Sequence, residues 1–232
     1  CNQGSVERMT ECPPVIALLI TYKRTDLALR TIQGVRANCG WPNIGFHIAD
    51  DGSGPEHVEK LREAIGPTYS LTFSDAKRGG VGKSMNYGMA ACLERADYIL
   101  WLEDDWYLER PFDLSECVRL LQEREDIGMI RLGYISPGIE AQLISGAGRL
   151  WWKLHKGPTY TFAGHASLRH RRFCEAYGPY PTNLTPGETE LWMCGKVNNT
   201  PGPAVALPAW TGEWGVFGHT GTESLKDVAP CV

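Results

Sequence analysis

Apolar and polar positions follow two periods along the first half of the chain, and their alternation predicts the elements. The run VIALLI at 15–20 is continuous and branched, as expected of a strand buried on both faces. A polar turn, Thr21, Tyr22, Lys23 and Arg24, ends it. Asp26 then caps a predicted helix with apolar residues at Leu27, Ile32 and Val35, closed by Gly40, Trp41 and Pro42. A second strand is predicted at 44–49, stopping at Asp50, Asp51, Gly52 and Ser53, and a Glu/Lys-rich helix over 56–65. A third strand at 69–73 leads through a Gly-rich turn at 78–82 into a helix over 83–95. The fourth, at 98–102, ends on Glu103, Asp104 and Asp105. A helix at 114–124 and a short strand at 128–132 follow, and Gly- and Trp-rich sequence fills the rest.

Strands alternating with helices predict parallel βαβ units: an α/β, Rossmann-like fold with a mostly parallel central sheet and flanking helices, in a single domain over 1–232. Ligands in such sheets sit beyond the carboxyl ends of the strands, where three of the four predicted strands carry charged or acidic loops. Residues 13–110 are expected to bind a donor or cofactor, and 111–232 to shape the site of the second substrate.

Composition narrows the classes further. The chain has 232 residues, 43% hydrophobic and 22% charged, which excludes disordered and collagen-like chains. A net charge of −4 lacks the basic footprint of a non-specific nucleic-acid binder. No apolar run reaches the roughly 20 residues of a membrane helix. The 8 cysteines include no CxxC pair, which argues against a zinc ribbon or redox dithiol. Their even number, with acceptor-like tripeptides at Asn183 and Asn198, fits a secretory protein, but a cytoplasmic location is expected. The 8 tryptophans stand out, because such rings form core or stack on flat ligands and sugar faces.

Adjacent carboxylates at the end of a buried strand are costly unless a cation compensates, and a hard cation such as Mg²⁺ or Mn²⁺ takes one or two carboxylates plus substrate phosphates. Glu103, Asp104 and Asp105 are therefore the strongest candidate site. Asp50 and Asp51 occupy the equivalent place after the second strand, where an acid can accept from a ribose hydroxyl or a base N–H. The segment Arg78, Gly79, Gly80, Val81, Gly82, Lys83, Ser84 is similar to a phosphate loop. That pattern requires a glycine five residues before Gly82, where Lys77 stands, so a P-loop-like nucleotide triphosphatase is the alternative rather than the main reading.

In order, the polar turn at 21–24, the acids at 50 and 51, the stretch from Arg78 through Asn86 to Gly88, and the triplet 103–105 resemble GT-A fold glycosyltransferases. The likeness is to their small family-2-type catalytic domain. It implies a metal-dependent, inverting transfer of a sugar from a nucleoside-diphosphate sugar, a UDP-sugar being favoured, to an acceptor hydroxyl. The triplet is then an EDD variant of the DxD motif, similar to that of N-acetylglucosaminyltransferases that build on mannose. The resemblance implies donor contacts for Thr21, Tyr22, Arg24, Asp50, Asp51, Arg78, Gly79, Lys83, Asn86, Glu103 and Asp104. It implies metal contacts for Asp105 and for His219, in the late segment after Trp214. Glu190, or else Glu188, falls where inverting members keep their catalytic base. The expected acceptor is a glycan or protein hydroxyl, or a hydroxymethylated base in phage-type DNA. Arg169, Arg171 and Arg172 with Lys153 and Lys156 offer a local basic patch for the last. A non-catalytic sugar-binding module is the remaining alternative.

Overall fold

The opening apolar run becomes β1 (Val15–Thr21), buried along its whole length. The computed structural model describes residues 12–133, 140–157, 160–211 and 215–220. In it β1 lies between β2 (Ile44–Asp50) and β4 (Tyr98–Glu103), parallel to both, and β3 (Leu71–Asp75) pairs parallel with the far side of β2. The connecting helices are α1 (Thr25–Asn38), α2 (Pro55–Ile65) and α3 (Val81–Leu93).

Successive side chains of a strand point to opposite faces, and β1 sorts accordingly. Val15, Ala17 and Leu19 join one buried cluster, with α1 residues Ala28 and Ile32 and α2 residue Leu61. Ile16, Leu18 and Ile20 join the other, with Met85 and Met89 of α3. Each such aliphatic side chain contributes about 1.5–3 kcal/mol on burial. α3 packs so close that a Cβ on Gly88 would meet Leu18 Cδ1 at 2.6 Å and Ala49 Cβ at 2.9 Å.

The second half comprises β5 (Trp106–Tyr107), α4 (Ser115–Glu123), β6 (Ile127–Arg131), β7 (Ala141–Gly146), β8 (Arg149–Leu154), β9 (Ser167–His170), α5 (Arg171–Tyr177), α6 (Pro186–Asn199), β10 (Ala204–Pro208) and β11 (Gly218–His219). The main sheet has the order β3-β2-β1-β4-β9-β6-β10-β8-β7, while β5 and β11 form a small antiparallel pair. β9 is antiparallel to both its neighbours, β4 and β6, and β8 to both of its own, β10 and β7. The other seven share one direction, so the expected mostly parallel α/β sheet is what forms.

Several local expectations are corrected. The third strand starts two residues later than 69–73, because Tyr69 packs edge-on against Phe46, with ring centroids 5.3 Å apart, before pairing begins. α1 has Arg24 rather than Asp26 at its N-cap, and Asp26 falls in the first turn. β7, β8, β9, α5, α6 and β10 all lie in sequence that carried no predicted strand or helix.

Candidate active site

Beyond β4 the chain turns at Asp104 and Asp105 and re-enters the sheet-like pair of β5 and β11. α1 holds this turn from one side, since Thr31 Oγ1 lies 3.1 Å from the Asp104 carbonyl oxygen and 2.6 Å from that of Trp106. β11 holds it from the other. His219 pairs opposite Trp106, and Thr220 donates to the Asp105 carbonyl through its backbone N at 3.1 Å and its Oγ1 at 3.2 Å.

Three successive acids at the end of an apolar strand repel one another, and the shifts follow. Burial, reinforced by Asp105, Glu190 and Asp104 and opposed by Arg169, pushes Glu103 up to about 8. Burial pushes Asp104, only 1% exposed, up to about 6 against the pull of Arg24 and a hydrogen bond from Thr21 Oγ1 at 3.0 Å. Arg24 ion-pairs with both Asp104 and Asp105, at 2.9 Å to Asp105 Oδ2. His219 Nε2 stands 3.6 Å from that same oxygen. Asp105 Oδ1 is buried with no hydrogen-bond partner among the described residues.

A divalent cation fits this corner. It finds an orphaned carboxylate oxygen on Asp105 with the His219 imidazole beside it, and hard cations complete their shells with substrate phosphates and water. Among the described residues no three His, Cys, Asp or Glu side chains converge as a ligand set.

The acids after β2 have a different occupation. Asp50 Oδ2 accepts from the backbone N of Gly52 at 3.1 Å and of Ser53 at 2.8 Å, and Oδ1 accepts from Ser53 Oγ, so this carboxylate shapes its own turn. Asp51 accepts from Gly80 N at 3.2 Å on both oxygens, anchoring the 78–80 loop. An acid thus sits against the amides that a phosphate loop would leave open for phosphate, and Lys83 folds over Gly79. His57, which the sequence left without a role, joins the two acidic turns. Its Nε2 is 3.3 Å from Thr21 Oγ1 and 3.8 Å from Asp50 Oδ1, and its Nδ1 is 2.8 Å from Thr25 Oγ1. The Thr21 hydroxyl gives its one proton to Asp104, so His57 Nε2 is the donor to Thr21. Tyr22 is half-buried under Lys23, and Arg78 is exposed in a left-handed conformation at φ 59°.

A cavity of about 220 Å³ opens beside the acidic corner, lined by Glu103, Trp106 and His219 on one side of the chain order and by Gly164, Arg169, Tyr180, Thr189 and Glu190 on the other. Gly164 N donates to Glu190 Oε1 at 2.7 Å, and the Tyr160 hydroxyl hydrogen-bonds the same carboxylate. A Cβ on Gly164 would lie 2.9 Å from Glu103 Oε1, so the bare backbone lets the two acids share the space. Trp106 is flanked by His165 and His219, each ring 4.7 Å from its own.

Other expectations change. Glu188 completes a capping box at the start of α6, accepting from Thr185 N at 2.9 Å and Oγ1 at 2.7 Å, which leaves its carboxylate outside the cavity. Asn86 exchanges two hydrogen bonds with the backbone of Tyr180 and so positions that ring. The basic patch does not form. Arg169 is buried, Arg171 pairs with Asp97, Arg172 donates to the carbonyls of Ile127 and Leu121, Lys153 pairs with Asp126, and Lys156 donates to the Tyr177 hydroxyl and two carbonyls. Of the tryptophans expected around the site, Trp106 lines the cavity, Trp192 is exposed, Trp210 packs edge-on against the core Trp151, and Trp214 lies outside the described residues. Trp101, read from the sequence only as strand, lines the cavity too.

No family model matches the sequence, and no curated sequence matches it either. In structure it is similar to residues 1–349 of TarS from S. aureus in complex with UDP-GlcNAc, with TM-score 0.64, 14% identity, and coverage of 94% of this chain and 62% of that one. It is similar to GalNAc-T7 with UDP, GalNAc and Mn²⁺, with TM-score 0.67, 14% identity, and coverage of 90% and 44%. The mannosyltransferase PcManGT from Pyrobaculum calidifontis in complex with GDP-Man and Mn²⁺ matches at TM-score 0.56 and 14% identity, over 88% and 59%. The chain has the GT-A glycosyltransferase fold, and it spans 44% to 62% of the length of these structures.

Proposed function

We propose that the protein is a divalent-metal-dependent glycosyltransferase that moves a sugar from a nucleoside-diphosphate sugar, a UDP-sugar being favoured, to an acceptor hydroxyl with inversion. The observation that carries this reading is the orphaned oxygen of Asp105 beside His219, with His219 and Glu190 both lining the adjacent cavity. The solved structures of this fold that hold UDP, UDP-GlcNAc or GDP-Man, two of them with Mn²⁺, support it.

In this reading the loops after β1, β2 and β3 receive the nucleotide, with Tyr22, Asp51, Arg78, Gly79 and Lys83 nearest to it. Arg24, Asp104, Thr21 and His57 form a buried chain that fixes the acidic turn, while Glu103 faces the sugar. Asp105 and His219 hold the cation, which when bound neutralises charge on the departing diphosphate. Glu190 is the base. Gly164 N and the Tyr160 hydroxyl orient its carboxylate, which takes the proton of the acceptor hydroxyl as that oxygen attacks the anomeric carbon opposite the leaving group. A glycan or protein hydroxyl is favoured as acceptor over a hydroxymethylated DNA base, because, of the cations expected to hold DNA, Arg169 is buried and Arg171 and Lys153 are paired with Asp97 and Asp126.

A panel of nucleotide sugars with Mn²⁺ or Mg²⁺, scored for nucleoside diphosphate release, tests the reading. One donor should be turned over and Asp105→Ala should abolish that turnover. Failure to bind or cleave any donor, or a variant equal to wild type, would overturn it. Adding duplex DNA with hydroxymethylated bases separates the acceptor classes.

A further inference from the structure

Among the described residues, three buried polar side-chain atoms of the cavity lining have no hydrogen-bond partner: Trp101 Nε1, Arg169 Nη2 and Thr189 Oγ1. Their residues are 0%, 1% and 2% exposed. Buried polar groups are ordinarily paired, because an orphan loses its water without a replacement. Three around one cavity therefore point to a ligand. Indole and guanidinium nitrogens only donate, and a hydroxyl donates as well, so the missing partner is an acceptor.

The charge says what kind of acceptor. Arg169 sits in the middle of β9 with its Nε donating to Ser167 Oγ at 3.0 Å and its Nη1 to the Tyr180 hydroxyl, both neutral. Its guanidinium lies 3.8 Å from the Trp101 ring and 5.3 Å from that of Phe162. Its hydrogen-bond partners are neutral, although the Glu103 carboxyl also acts on it across the cavity, and its open nitrogen favours an anion. The N-terminal turn of α6, a helix of 14 residues whose Pro186 and Gly187 line the same cavity, adds the positive end of its dipole. Glu103 and Glu190 supply carboxyl oxygens suited to the hydroxyls of a sugar ring.

We propose that this cavity binds a sugar bearing a carboxylate, such as a hexuronic acid, with Arg169, Trp101 and Thr189 donating to the carboxylate oxygens. The identification of the ligand as a sugar rests on the glycosyltransferase reading; the anion site rests on the three orphaned donors.

Titration by NMR of methyl β-D-glucuronide against methyl β-D-glucoside, with UDP and Mn²⁺ present and absent, tests the site on the intact chain. The glucuronide should bind about tenfold more tightly. Thr189→Val, which keeps the side-chain shape, and Arg169→Lys, which keeps the charge but loses the open nitrogen, should each erase most of that preference while leaving UDP affinity within about twofold. A second arm compares UDP-glucuronate with UDP-glucose. Preference there assigns the carboxylate to the donor, and preference only for the free glycoside assigns it to the acceptor. Equal binding of the two glycosides, or no binding of either, overturns the proposal. So does a loss of UDP affinity in both variants as large as the loss of glucuronide affinity, which would assign the donors to the diphosphate. A glucuronide preference without any nucleotide binding would instead remove the transferase reading and leave the anion site standing.

Discussion

Asn86 and Tyr180 exchange two hydrogen bonds, Asn86 Nδ2 donating to the Tyr180 carbonyl at 2.9 Å and Tyr180 N donating to Asn86 Oδ1 at 2.8 Å. The pair ties α3 to a ring that stacks on Trp101 and bonds Arg169. Asn86→Ala leaves a backbone donor and acceptor without partners. A loss of about 2–3 kcal/mol in urea unfolding is expected, with weakened sugar binding at unchanged nucleotide affinity. A variant as stable as wild type would show that the pair is dispensable.

Arg24 neutralises the two acids that a cation would otherwise attract. Arg24→Gln should therefore raise Mn²⁺ affinity in the absence of nucleotide by about tenfold or more, measured by calorimetry. The variant should also be less stable without metal, because Asp104 is left buried and unpaired. Unchanged Mn²⁺ affinity would mean that the guanidinium does not compete with the ion.

Two glutamates two residues apart should behave differently. Glu190→Gln removes the carboxylate oriented by Gly164 and Tyr160 and should lower kcat by about 10²–10⁴-fold with the donor still bound. Glu188→Gln should cost only about 0.5–1 kcal/mol of stability through the helix cap. Steady-state kinetics and thermal melts on the pair decide the assignment, and the opposite pattern would move the base to Glu188.

His47 lies in β2, 1% exposed, with its Nδ1 2.8 Å from Thr72 Oγ1 and its Nε2 2.9 Å from Ser74 Oγ. Burial, with Arg95 nearby, lowers it from 6.5 to about 4. The unfolded chain therefore binds its proton first as pH falls. Its contribution is complete above pH 6.5 and is lost progressively toward pH 4, by roughly 3 kcal/mol at most. His47→Gln should flatten the dependence of unfolding free energy on pH across that window. An unchanged slope would place the titration elsewhere, with His170, lowered by burial to about 4, the next group to replace.

The first half of the fold was legible because its strands are covered on both faces and so read as unbroken apolar runs. The second half was not. β7 and β8 leave Leu143, Leu150 and Trp152 exposed, so their pattern does not alternate between core and water. β9 is four residues long and carries a buried arginine, which in sequence looks like part of a charged surface. The site divides the same way. His219 and Glu190 line one cavity, and Asp105 stands beside His219. His57 was left without a role and Arg169 was read as part of a basic patch, because their contacts depend on partners far away in the chain that no local spacing announces.

β11 reaches the acidic corner from a position 115 residues further along the chain, through Thr220 on the Asp105 carbonyl. A ribosome delivers residues 103–105 long before the segment that closes over them. The nascent chain can therefore assemble β1 to β4 while the corner stays open, and His219 reaches it later. The acidic corner is thus finished by chain that is made after every described strand of the main sheet.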